Sequence, residues 1–161
     1  MKITYTAKEY VLTSDEEIFL GSLKMEKWTS TKAQITTQYG DFYDVKTKGF
    51  WGTSIGIIKS DEEFAELKMN WKGQVVIDML SNGKGMDYLL KSTNMWGSKY
   101  TLFNRDEMEL LIFTVDYKWK KGHYNFNIDV NPNFADDIDE MLILFATYSV
   151  LYLLMVQAAS T

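Results

Sequence analysis

The sequence contains no cysteine and, among its 161 residues, only one histidine (His123) and one proline (Pro132). Without cysteine, the chain cannot form disulfides, zinc–thiolate centres or iron–sulfur centres, and thiol catalysis is excluded. A single histidine excludes metal sites built from several histidines of one chain. Basic residues are also outnumbered, with 17 lysines and arginines against 22 carboxylates and a net charge of −5. This balance argues against nucleic acid as a partner, and the composition predicts neither a metal nor another cofactor.

The chain does contain enough apolar material for one sizeable core. Its residues are 46% hydrophobic and 15% aromatic, and its length fits one domain spanning residues 1–161. Residues 1–20 mix charged and apolar side chains and show no apolar run behind a basic segment. We therefore expect no cleaved signal peptide and a cytoplasmic protein, peripheral to the membrane if it contacts lipid.

Apolar and polar side chains alternate along most of the chain before residue 131. Such alternation is typical of antiparallel strands with one face in a core and one face in water. Turns rich in glycine and asparagine interrupt the pattern about every ten residues, without helical patterns between them. We predict a mostly β protein, with about ten to twelve strands over residues 1–131 in a closed antiparallel barrel. The strictest alternation places Tyr124, Phe126, Ile128 and Val130 against Asn125, Asn127 and Asp129.

The pattern changes after Pro132, where four carboxylates precede an uncharged stretch from Met141 to Thr161. Carboxylates are favoured at a helix N-terminus, and the stretch predicts a helix over about residues 135–158 that is apolar on every side. The carboxylates also resemble calcium ligands, but they lack the residue order of a calcium loop, so helix capping is the better interpretation. They are Asp136, Asp137, Asp139 and Glu140.

A helix of about 30 Å that is apolar all round is either the centre of the barrel or a tail anchor in a membrane. A tail anchor usually carries lysine or arginine at its cytoplasmic flank, whereas the flank here is acidic. Each predicted strand also has an apolar face that needs covering. A sheet closed around the helix covers both partners at once, so we favour a central helix over an integral membrane span.

Several segments resemble the tubby-like C-terminal superfamily, which includes tubby proteins, plant LURP-one-related proteins and phospholipid scramblases. The resemblance to small bacterial members extends from about Met86 to the C-terminus, while residues 1–85 match only in strand pattern. It implies a non-enzymatic barrel around a hydrophobic C-terminal helix, and contact with membrane phosphoinositides through surface lysines and arginines. The segments that carry it are Tyr88–Thr93 with Trp96 and Ser98–Tyr100, Glu109–Leu111, Tyr117–Lys121 and Tyr124–Ile128.

One basic and aromatic cluster falls within the segment of residues 118–123. Lysines beside aromatic rings suit a phosphate headgroup or an acidic partner, although a hairpin tip also uses lysines for solubility. We predict this cluster as the binding site of a non-enzymatic interaction module whose partner is anionic phospholipid or a protein. Its members are Lys118, Trp119, Lys120, Lys121 and His123.

Three alternative functions remain open. The segment Gly52–Gly56 fits the G-x-S-x-G pattern of serine hydrolases, with Ser54 as nucleophile, Asp106 or Asp116 as the acid and His123 as the base. The pattern is weak, because a helix should follow the serine and none is predicted there. A barrel that carries a small apolar ligand or lipid would need the helix outside. A tail-anchored membrane protein is the third alternative.

Overall fold

The computed structural model describes residues 1–49, 52, 54–80, 86–118 and 123–161. Twelve antiparallel strands form one sheet within these residues, and each strand pairs with the next along the chain. The first eight are β1 (Lys2–Thr6), β2 (Glu9–Thr13), β3 (Phe19–Met25), β4 (Ala33–Thr37), β5 (Phe42–Lys48), β6 (Ser54–Lys59), β7 (Glu62–Met69) and β8 (Val75–Met79). The last four are β9 (Met86–Ser92), β10 (Lys99–Phe103), β11 (Glu109–Lys118) and β12 (His123–Val130).

The sheet closes on itself because β1 also pairs with β12. The contact places Lys2 opposite Asn127 and Ile3 opposite Phe126. Closure gives both terminal strands a partner, which removes the exposed edges that an open sheet presents to other chains. The sequence prediction of a closed antiparallel barrel is confirmed, and the strand number lies at the upper limit of the predicted range.

The helix α1 (Glu140–Ala159) fills the interior of this barrel. Every residue from Leu142 to Leu151 is buried, although a helix packed on an outer wall would leave one side in water. The helix contacts β3 and also β9, which lie on opposite sides of the ring. It is long and apolar enough to cross a bilayer, but 67% of its most apolar window is buried within the protein. The prediction of a central hydrophobic helix is confirmed.

The helix begins later than the pattern of charges predicts. Residues Pro132–Asp137 form a short 3₁₀ helix, Ile138 is extended, and α1 starts at Glu140 instead of about residue 135. The Asp139 carboxylate caps α1 by accepting a hydrogen bond from the backbone N–H of Leu142 at 2.8 Å. Two of the four carboxylates therefore stand at the N-terminus of α1, and the extended Ile138 separates the other two from it.

Close packing joins the helix to the barrel wall. The Phe145 ring lies edge-on to Tyr43 and Phe64, with centroid distances of 5.2 and 6.2 Å. On β3, a Cβ added to Gly21 would stand 2.7 Å from Leu144 Cδ1 and equally close to the backbone carbonyl oxygen of Thr36 on β4. Glycine is required there because the backbone of β4 and the helix side chain together leave no room for a Cβ.

The direction of the helix distinguishes the two ends of the barrel. At the end where α1 begins, which we call the proximal end, Gln38 Nε2 donates to Glu140 Oε1 at 3.1 Å. At the end where α1 finishes, the distal end, the Tyr100 hydroxyl donates to Gln157 Oε1 at 3.2 Å. Since neighbouring strands alternate in direction, the described loops β2–β3, β4–β5, β6–β7 and β10–β11 are proximal. The loops β1–β2, β3–β4, β7–β8 and β9–β10 are distal.

Two buried tyrosines provide a matched test of this core. The Tyr10 hydroxyl has no hydrogen-bond partner among the described residues, whereas the Tyr148 hydroxyl donates to the Thr31 carbonyl at 2.6 Å. A buried polar group without a partner costs about 1–3 kcal/mol, and a typical made bond contributes about 1 kcal/mol. We expect Tyr10→Phe to raise the free energy of unfolding by about 1 kcal/mol, and Tyr148→Phe to lower it by about as much. Urea unfolding measures both, and equal losses in the two variants would contradict this assignment.

Candidate functional site

The structure describes only part of the basic and aromatic cluster predicted from the sequence. Lys118 is the last residue of β11 and pairs in register with His123, the first residue of β12. Trp119, Lys120 and Lys121 lie outside the described residues. The assignment of these five residues as a binding site therefore stays a prediction.

The imidazole of His123 packs against the barrel wall. Its ring stacks on the ring of Tyr5 in β1, with the centroids 3.6 Å apart and the planes inclined by 21°. The residue is half-buried. Stacking fixes the orientation of the ring beside a neighbouring strand, which gives His123 a structural role in joining β12 to β1.

The structure does not bring Ser54 and His123 together. Ser54 opens β6, which is six strands from β12 in either direction around the ring, so the two residues lie on opposite sides of the barrel. A strand follows the serine, whereas the hydrolase elbow needs a helix at that point. The Ser54 hydroxyl instead hydrogen-bonds Glu66 on β7.

Glu66 is the centre of a charged network on the outer wall. Partial burial acts to raise the pKa of its carboxyl group, but hydrogen bonds from Lys68, Ser54 and Lys48 outweigh burial and lower the pKa below its usual value. Lys48 also pairs with Glu63, and this bond raises the pKa of its ammonium group. The network is internally neutralised, so it leaves little net charge for a ligand.

A second set of lysines lines an open groove of about 530 Å³ on the outer face of β3, β4 and β5. Lys24 lies on β3, Lys32 immediately precedes β4, and Lys46 lies on β5. The hairpin bond from the Glu26 backbone N–H to the Lys32 carbonyl, at 3.0 Å, marks the distal end of this groove. The groove therefore opens beside the loop β3–β4 at the distal end.

The three lysines of this groove carry free charges. All three are exposed, and none forms an ion pair within the described part of the chain. Two carboxylates, Glu26 and Asp44, also line the groove, which leaves a net positive charge. Free ammonium groups around an open groove suit an anionic group such as a phosphate.

Sequence reasoning missed this groove because its lysines are far apart along the chain. They come together only because β3, β4 and β5 are consecutive strands, with Lys24 opposite Gln34 and Gln34 opposite Asp44. The alternation of the strands does predict that Lys24 and Lys46 face outward. Their common location depends on strand register, which the sequence does not reveal.

The distal loops also expose large apolar side chains. Trp71 in the loop β7–β8 is 90% exposed, and Met95 and Trp96 in the loop β9–β10 are 99% and 87% exposed. We call these three residues the distal rim. Trp28 in the loop β3–β4 is partly buried, with its ring 5.4 Å from that of Tyr124. Trp51 and Trp119 stand between β5 and β6 and between β11 and β12 in the sequence, outside the described residues.

Hydrogen bonds from asparagine side chains hold both loops of the distal rim. Asn70 Oδ1 accepts bonds from the backbone N–H groups of Lys72 and Gln74, each at 3.0 Å. Asn94 Oδ1 accepts from Ser98 and Lys99 at 3.0 and 3.1 Å. Such turns fix the backbone on both sides of the exposed rings. The exposed side chains are therefore presented on ordered hairpin tips.

These features define a class of structure: a closed twelve-stranded antiparallel barrel filled by its C-terminal helix, with a lysine groove and an aromatic rim at one end. Comparison of the chain with protein-family models, curated proteins and solved structures finds no match. The functional interpretation therefore depends on the geometry of the chain itself.

Proposed function

We propose that this protein is a non-enzymatic binding module that contacts the headgroups of anionic phospholipids. The observation that carries the proposal is the groove lined by Lys24, Lys32 and Lys46, whose ammonium groups form no ion pair within the described residues. A phosphate that enters the groove gains charge-assisted hydrogen bonds without breaking existing ones. Exposed lysines near an anionic lipid surface contribute about 1 kcal/mol each to binding.

The filled interior supports a binding role on the outer surface. Helix α1 occupies the space in which a small barrel would hold an apolar ligand, so a lipid carrier would first have to expel the helix. Ser54 and His123 lie on opposite sides of the ring, so in the serine hydrolase alternative the histidine is too far from the serine to act as its base. These two observations favour a surface module over a carrier or a hydrolase.

We further propose that the chain is a divergent member of the tubby-like superfamily. A closed barrel of twelve strands around a hydrophobic C-terminal helix is the architecture that the sequence resemblance implies. A cytoplasmic location, peripheral to the membrane, follows from the same proposal. The carboxylates at the proximal end would face away from an anionic membrane.

Co-sedimentation with lipid vesicles tests the proposed function. We expect the protein to bind vesicles that combine phosphatidylcholine with phosphatidylserine, and to bind pure phosphatidylcholine far more weakly. Replacing Lys24, Lys32 and Lys46 by glutamine should weaken binding about 100-fold, at about 1 kcal/mol for each lysine. High salt should weaken binding of the wild-type protein, because salt screens charge interactions at exposed sites.

A control variant with the same change in net charge separates the groove from charge in general. It replaces Lys2, Lys59 and Arg105 by glutamine as well. These three residues lie on the proximal side and form ion pairs with carboxylates. Since exposed ion pairs contribute little to stability, this control should fold and bind as the wild type does. Equal loss of binding in both variants, or no binding by the wild type, would contradict the proposal.

A further inference from the structure

We infer that the distal rim inserts into the interfacial region of an anionic bilayer, so that the barrel docks end-on with its axis along the bilayer normal. This inference rests on the proposed function, and it adds the membrane-facing surface and the orientation. The rim consists of Trp71, Met95 and Trp96, which are among the most exposed large apolar side chains of the described residues. Tryptophan is enriched at the interface between lipid and water, where its apolar ring and its N–H group both find suitable surroundings.

The rim side chains are exposed on loops whose backbone is fixed. Trp71 and Trp96 stand on turns that the Asn70 and Asn94 side chains close, so hydrogen bonds hold the backbone that carries each ring. Exposing an apolar ring to water has a free-energy cost, and burial in an interface removes that cost. Ordered turns also lower the entropy lost on docking. Exposed rings on ordered hairpin turns are therefore typical of a surface that contacts a partner through these turns.

Charge identifies the partner as an anionic surface. The described residues of the distal loops carry one carboxylate, Glu26, against four lysines: Lys8, Lys27, Lys32 and Lys72. The described residues of the proximal loops and of the segment before α1 carry one basic side chain, Arg105, against ten carboxylates: Asp15, Glu16, Glu17, Asp41, Asp61, Asp106, Glu107, Asp136, Asp137 and Asp139. An anionic membrane attracts the distal end and repels the proximal end.

One loop combines both kinds of contact. The Lys72 ammonium group lies 5.2 Å from the centroid of the Trp71 ring, so charge and aromatic surface occupy the same tip. Lysine beside tryptophan at the end of an exposed loop suits the boundary between phosphates and acyl chains.

End-on docking also explains the position of the lysine groove. The groove opens at the distal end beside the loop β3–β4, whose residues Glu26 and Lys32 line it. With the rim at the level of the interface, Lys24, Lys32 and Lys46 lie on the wall just above, where the phosphates of the headgroups are. Rim and groove would therefore engage one leaflet together.

Vesicle binding and tryptophan fluorescence together test the inference. The test variant replaces Trp71, Met95 and Trp96 by serine. The matched control replaces Ile18, Tyr39 and Met108, three exposed apolar residues of the proximal loops, by serine. We expect the test variant to bind vesicles of phosphatidylcholine and phosphatidylserine at least about tenfold more weakly. Burial of even one large apolar side chain strengthens binding by about tenfold, and the variant removes three. The control should bind as the wild type does.

The fluorescence measurement uses vesicles whose phosphatidylcholine carries bromine near the glycerol end of its acyl chains. Bromine quenches tryptophan only at short range, so quenching reports insertion. We expect a blue shift and quenching for the wild type and the control, and neither for the test variant. Vesicle binding without quenching, or undiminished binding of the test variant, would overturn the inference while leaving the proposed function intact. Failure of the wild type to bind vesicles would overturn both.

Discussion

Deletion of residues 141–161 should leave a chain that cannot form a soluble barrel. The deletion removes a dozen buried helix residues, from Leu142 to Leu154, and leaves the inward faces of the strands uncovered. Each large apolar side chain contributes about 1.5–3 kcal/mol on burial, so the loss exceeds the 5–15 kcal/mol that stabilises an ordinary domain. Expression followed by fractionation measures the outcome, with the full-length chain expected in the soluble fraction and the truncated chain in aggregates.

A shorter deletion provides the control. Residues Ala158–Thr161 are exposed, and their removal leaves the bond between Gln157 and Tyr100 in place. This variant should remain soluble and unfold cooperatively. The opposite pattern, with the full-length chain recovered only in detergent and the chain without residues 141–161 soluble and folded, would contradict the central helix and establish a tail anchor.

Phe145→Ala should lower the free energy of unfolding by about 3–5 kcal/mol, the usual cost of truncating a buried phenylalanine. Phe145 is fully buried in the second turn of α1 and packs edge-on to Tyr43 and Phe64, so its removal leaves a cavity between the helix and two strands. The surrounding wall is a closed sheet and cannot collapse far into that cavity. Urea or thermal unfolding measures the change.

Phe42→Ala is the matched control for this prediction. Phe42 also belongs to the barrel, at the start of β5, but it is 45% exposed. Its truncation should change the free energy of unfolding by less than about 1 kcal/mol, as is usual at the surface. A loss for Phe145→Ala no larger than for Phe42→Ala would show that α1 is not packed against β5 and β7.

The main elements of the fold could be predicted because each follows from local pattern. The alternation in β12 places Phe126 and Ile128 inward, and both are buried. The uncharged stretch predicted α1, and its need for cover on all sides predicted its place inside the sheet. The start of the helix was less predictable, since Pro132 begins a short 3₁₀ helix and the extended Ile138 delays α1 until Glu140.

The candidate site could be predicted much less well. Reasoning from the sequence selected neighbours along the chain, such as Lys118 and His123, because local clusters are visible there. It missed Lys24, Lys32 and Lys46, whose shared groove depends on the register of three strands. It also did not single out as site residues Trp71 and Trp96, which are among the most exposed residues.

The sequence by itself determined a mostly β chain with one apolar helix, and it excluded cysteine chemistry and metal sites built from several histidines. These properties depend on composition and on periods of two and 3.6 residues, which are local. Only the tertiary structure decided which loops share an end of the barrel. Antiparallel order brings every second loop to the same end, and closure brings distant strands to opposite walls. The separation of carboxylates from tryptophans and lysines along the barrel axis is therefore a property of topology.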